Sequence, residues 1–146
     1  MQLNKGIKIT RALNAVAAGT TDQNGSILDM QGFDGVMFIA LFGTLTATQV
    51  TSLKAQQDTD VAGGTMADLL GTNTGPLADA DSNKCLVLDV YKPRERYVRC
   101  VVDRGTANAV IDGVIAIQYK ASKRPTAHAA SVAFSESHVS PAEGTA

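Results

Sequence analysis

The segment Asp79-Ala80-Asp81-Ser82-Asn83 opens like a calcium loop of the form D-x-D-x-N, in which alternate side-chain oxygens wrap a hard cation. The likeness stops there. Lys84 stands where such a loop needs glycine and Val90 where it needs a bidentate glutamate, so the segment reads as an Asp-rich turn. Asp22-Gln23-Asn24-Gly25-Ser26 fails in the same way. Cys85 and Cys100 have no C-x-x-C spacing and no neighbouring histidine, which is not the pattern of a metal site. His128 and His138 fall in a tail of small residues, outside any strand that would fix an imidazole against a nucleophile. Neither G-x-S-x-G nor G-x-x-x-x-G-K-[ST] occurs. These residue types in these positions point away from an enzyme and imply no cofactor and no metal.

Charge is the more informative pattern. The formal net charge is −1, from 13 Lys+Arg and 14 Asp+Glu, so no field of the whole molecule draws in nucleic acid or an anionic membrane. Locally the signs separate. Lys92, Arg94, Arg96, Arg99 and Arg104 outweigh Glu95 and Asp103, and Lys120, Lys123 and Arg124 form a second basic cluster. Residues 58–83 instead hold Asp58, Asp60, Asp68, Asp79 and Asp81 with no basic residue among them. Opposite-charge patches are what protein partners use to fix register. The sequence therefore predicts a protein-protein contact through Lys92, Arg94, Arg96 and Arg99 on one side and Asp58 and Asp60 on another. A nucleic-acid groove is not expected, because Tyr91 and Tyr97 are the only aromatics near the arginines.

The elements that position these groups read as β. With 146 residues, 45% of them hydrophobic, one core without disulfide or metal is the economical expectation. Residues 7–13 alternate, with Ile7, Ile9 and Leu13 expected on the core face and Lys8 and Thr10 outside. Residues 12–18 are small and apolar behind Lys5, Lys8 and Arg11, but Asn14 interrupts them, so they read as a strand and not as an export signal. A turn at Asn24-Gly25 leads into a short strand at 26–30. Residues 36–42 form a continuous apolar run of strand length, the pattern of a strand covered on both faces. That run is too short to span a bilayer, which takes about 20 apolar residues.

Residues 44–57 read as a loop and a strand, and 58–83 as a long excursion off the scaffold, with one helical turn expected at 65–70. Residues 85–91, 97–103 and 109–119 alternate as three more strands, with Lys92-Pro93-Arg94-Glu95 as a reversal. Parity points Cys100 inward and Cys85 outward, so no disulfide joins them, which suits a reducing compartment. About seven strands without a crossover helix predict an all-β fold, an antiparallel β-sandwich of the jelly-roll or Greek-key sort. The domain spans 1–120. Residues 121–146 form an extended C-terminal arm whose large apolar anchors are Phe134 and Val139, expected to lie along a neighbouring subunit with both anchors in shallow pockets.

The runs FDGVMFIALFG at 33–43, LKAQQD at 53–58 and LDVYKPRERYVR at 88–99 resemble small virion proteins of tailed bacteriophages, typically encoded beside the major capsid protein. The resemblance extends over most of residues 7–120 and lies in strand-and-turn patterns rather than catalytic signatures. It implies a capsid cement or decoration protein, a jelly-roll-like domain that binds the outside of the head and clamps neighbouring subunits. Its partners would be the major capsid protein and copies of itself, as a homo-oligomer on the particle. It would be made in the bacterial host cytoplasm and reside in the virion, with no membrane or cofactor involved. A trimeric decoration protein of the small-barrel type is a related form. The alternative role is a head-to-tail joining or tail-terminator protein.

Overall fold

A computed structural model describes residues 2–140 and 142–145 of the chain. After a single 3-10 turn at Leu3–Lys5 come ten strands: β1 (Lys8–Leu13), β2 (Val16–Gly19), β3 (Gln23–Asn24), β4 (Leu28–Asp29), β5 (Gly35–Leu45), β6 (Val50–Asp58), β7 (Ala67–Asp68), β8 (Cys85–Tyr91), β9 (Tyr97–Gly105) and β10 (Ala109–Tyr119). No α-helix occurs among the described residues. Two antiparallel sheets form. Sheet I has the order β1-β10-β5-β8, with β2 also on β10; sheet II has the order β3-β9-β6-β7, with β4 also on β9.

Because β1 and β2 share β10, and β3 and β4 share β9, each pair is one interrupted strand. The first strand of the chain then pairs with the last, the second with the next to last, and so inward, which is a long hairpin rolled into a sandwich. That is the jelly roll. It also alters one expectation: Lys92-Pro93-Arg94-Glu95 carries the chain from β8 in sheet I to β9 in sheet II, so it is an arch between sheets and not a hairpin turn.

Alternation places the core between the sheets. Val36, Phe38, Ala40 and Phe42 of β5, Leu88 and Val90 of β8, and Ile111, Val114 and Ala116 of β10 meet Leu53 and Ala55 of β6 and Val98, Cys100 and Val102 of β9. Each large side chain removed from water here contributes roughly 1.5–3 kcal/mol. On β1 the expected faces hold in part: Ile7, just ahead of the strand, is buried and Leu13 packs against the core, but Ala12 is in the core as well and Ile9 pairs across the outer face with Ile117. A register shift between Arg11 and Leu13 breaks the parity that sequence alone would carry through the strand. Gly113 lies at a second irregularity, with φ of 144° and the Leu13 carbonyl 3.1 Å from where its Cβ would sit.

Residues 59–84 do not leave the scaffold. β7 pairs with Gln56 and Gln57, and beyond it Leu69, Thr74 and Leu77 donate backbone N–H groups to the carbonyls of Ala55, Leu53 and Thr51. The segment is an irregular strand that covers the edge of β6. The helical turn expected at 65–70 is instead β7, because the edge of β6 offers partners that an isolated turn lacks.

The arm treats the opposite edge similarly. Thr126 N–H donates to the Lys5 carbonyl and Ala129 N–H to that of Ile9; the Thr126 hydroxyl donates to the Ile7 carbonyl. Ile9 N–H donates to His128 Nδ1 at 3.1 Å and Arg11 N–H to Ser131 Oγ at 3.0 Å. The arm is thus ordered by the edge of its own domain, and none of its described residues enters the core. Its Pro141 and Ala146 lie outside the described residues.

Candidate interaction surface

The charged groups singled out from sequence are mostly engaged within the chain. Asp58 is 1% exposed, and its carboxylate accepts from the N–H groups of Asp60 and Thr65 and from the Thr65 hydroxyl. Those backbone hydrogen bonds, led by that of Asp60, hold its carboxyl below the usual range despite burial. Asp60 accepts from Ala62 N–H, Asp79 from Thr48 N–H, and Asp81 from Ala78 N–H and Lys84 Nζ. Asp68 pairs with Lys54 at 3.0 Å and with Gln56 Nε2 at 2.7 Å. The acidic loop uses its carboxylates to fix its own turns and to tie itself to Thr48, Lys54 and Gln56. The segment that opened like a calcium loop is one such case, and among the described residues no cluster of three or more metal-ligating side chains forms.

The basic cluster divides. Arg96 makes a two-point contact with Asp29, at 2.8 and 2.7 Å, and a further bond to Gln31. Arg99 donates to Gln56 Oε1 at 2.8 Å. Arg104 is 6% exposed on the inner side of β9, where Nε donates to the Thr21 carbonyl and Nη1 to those of Ala17 and Ala109. Lys92 and Arg94 stay exposed on the arch, with Lys92 and Lys120 both stacked near the Tyr91 ring, at 5.4 and 4.8 Å from its centre. Phe134 and Val139 are 93% and 85% exposed, filling no pocket of their own domain. Cys100 is buried and Cys85 exposed, as parity predicts.

What the sequence reading did not single out is the outer face of sheet I. Register aligns Ile9, Ile117, Met37 and Asp89 in one row across β1, β10, β5 and β8, then Arg11, Ile115, Ile39 and Val87, then Gly113, Leu41 and Cys85. The neighbouring row is Tyr119, Gly35 and Tyr91. Gly35 is required there, since a Cβ would lie 2.4 Å from the Tyr119 ring. Tyr119 donates its hydroxyl to Asp89 at 2.7 Å. Burial foremost, and that hydrogen bond next, push its phenol up to about 12.

This face is apolar and open: Leu41 is 39% and Val87 49% exposed. The expectation that residues 36–42 are covered on both faces thus holds for one face only. The even-numbered side chains are in the core, and the odd-numbered ones have no covering layer among the described residues. Sheet II shows the ordinary pattern, because its outer face carries Lys54, Gln56, Arg99 and Asp103 in a polar network. The signal for the apolar face was present in sequence, as Met37, Ile39 and Leu41 interleaved with the core residues of the same strand.

No protein-family model matches the chain, and no curated protein matches it in sequence. No helix among the described residues is long and apolar enough to cross a membrane.

Proposed function

We propose that this chain is a structural protein of a virion, a cement or decoration subunit that attaches to the head of a tailed phage through the outer face of sheet I. The observation that carries the reading is the contrast between the two outer faces, one a polar network and the other a contiguous apolar surface. Open apolar patches on soluble domains mark contact sites, and the centre of an interface is depleted of charge in the same way. The jelly roll is shared by capsid domains, lectins and cupins, so it permits this role without selecting it. The strand-and-turn resemblance to small virion proteins supports the choice. Lys92 and Arg94 on the arch supply rim charges, which act on encounter and register more than on affinity.

The test is co-sedimentation with phage heads. Ile39 and Val87 are cross-strand neighbours on the open face, so Ile39→Lys combined with Val87→Lys sets two cations in the centre of the contact while leaving the core untouched. Binding should fall by roughly a hundredfold or more, since each buried apolar side chain lost removes about 1.5–3 kcal/mol and every 1.4 kcal/mol is tenfold. Undiminished binding by a folded double variant would refute the assignment of this face.

A further inference from the structure

We infer that part of this face is closed by a second copy of the chain, with Phe134 of each copy seated in a groove of the other. The groove runs between the arm and sheet I, with Ile9, Leu41, Ile115 and Val132 as its apolar walls and a volume of about 350 Å³. A cavity of about 150 Å³ already accepts benzene, so a phenyl ring fits with room for its neighbours. The inference rests on the proposed role of this face as an interface and names one occupant for it.

Phe134 lies two residues beyond Val132, a wall of the groove, and is 93% exposed. It is not on a slack segment. Val132 N–H closes a turn onto the Ala129 carbonyl, and on the far side Asn4 Nδ2 donates to Ser135 Oγ at 2.7 Å and to Ser137 Oγ at 2.9 Å. The fold therefore holds the segment that carries this large aromatic ring, which lowers the backbone entropy lost when the ring is ordered on binding.

A knob beside a hole on one surface is self-complementary under a two-fold axis, which places each knob in the other copy's hole. The charges fit the same operation. Arg11 and Asp112 stand at the groove, and neither forms an ion pair within the chain among the described residues. A plus-minus pair meets its own reversed image with opposite signs facing.

The measurement is sedimentation velocity of the full-length protein over a concentration series. Wild type should approach twice the 15.2 kDa chain mass as concentration rises. Phe134→Asp and Leu41→Arg should each raise the dissociation constant by at least about tenfold, as loss of a buried aromatic anchor does, with circular dichroism unchanged. Phe134→Asp keeps the groove and Leu41→Arg keeps the knob, so an equimolar mixture should regain one of the two contacts and associate more than either variant alone. Should Leu41→Arg fail to fold, Ile9→Arg blocks the same groove for the mixture. A wild type that stays monomeric at its highest soluble concentration would overturn the inference, as would a Phe134→Asp variant that associates normally. The head-binding role is judged separately, because a monomeric protein that still binds heads through Ile39 and Val87 removes only the second copy.

Discussion

Arg104 offers the sharpest test of the packing. Parity on β9 continues Val98, Cys100 and Val102 into Arg104, so the guanidinium enters the end of the sandwich, where burial shifts it below its usual range. It meets three carbonyls, at 2.8 Å for Thr21, 3.0 Å for Ala17 and 2.7 Å for Ala109, and so ties the segment around β2 and the start of β10 to β9. Hydrogen bonds from a charged donor contribute about 1.5–3 kcal/mol each, which sums to roughly 5–9 kcal/mol before burial of the cation is set against it. That burial costs several kcal/mol. Arg104→Met, which keeps the stem and removes the donors, should therefore lose about 2–4 kcal/mol. The midpoint of thermal unfolding should fall by roughly 6–12 °C, at about 3 °C per kcal/mol for a domain of this size. Urea unfolding followed by both fluorescence and circular dichroism gives the free energy and checks two-state behaviour. An Arg104→Met protein as stable as wild type would show that desolvation cancels the three bonds, and the bracket would then be a passenger of the fold.

Three further outcomes follow from the geometry. The side-chain hydrogen bond from Arg96 holds Asp29 at about 2, below its unfolded value near 4, so the pair stabilises above about pH 4 and that contribution is lost as pH falls towards 2. Because both partners are more than a third exposed, wild type should exceed Asp29→Asn by at most about 1 kcal/mol at pH 6, and their melting temperatures should converge at pH 2; a constant gap would refute the pairing. Burial pushes the Cys100 thiol up to about 12 while Cys85 is exposed, so a thiol reagent should modify one cysteine in the native protein and two in denaturant; two fast native reactions would contradict the core. In alkaline titration one phenol should ionise at about 12 and be the one lost in Tyr119→Phe, whereas loss of a phenol titrating near the ordinary value of about 10 would remove the Tyr119–Asp89 bond.

The strands β8 and β10 were legible in sequence to their ends, because each is bounded by turn residues and alternates, although the irregularity at Gly113 shifts the parity of β10 and puts Ile115 and Ile117 on the outer face. The antiparallel sandwich followed from the number of strands and the lack of a crossover helix, and the strand pairing then made it a jelly roll. What sequence could not settle was which face is the core when both are apolar, as on β1 and β5: Ile9 and Ile39 look like core residues until register shows them outside. Nor could it pair charges that lie far apart in the chain. Arg96 reads as a free cation beside Arg94, and only the pairing of β4 with β9 brings it to Asp29. Arg104 was legible in principle, since parity puts it inside, but a cluster of basic residues masked that. The acidic stretch looked like a contact surface because sequence shows charge and not the backbone N–H groups that satisfy it.

The central claim is that the open face of sheet I is the assembly surface of a virion protein. Electron microscopy of intact heads at a resolution that traces strands tests it most directly. The account predicts this chain on the particle with Met37, Ile39 and Val87 buried against protein and the polar face of sheet II towards solvent. Particles that lack the chain, or that carry it with those three side chains in water, would contradict it.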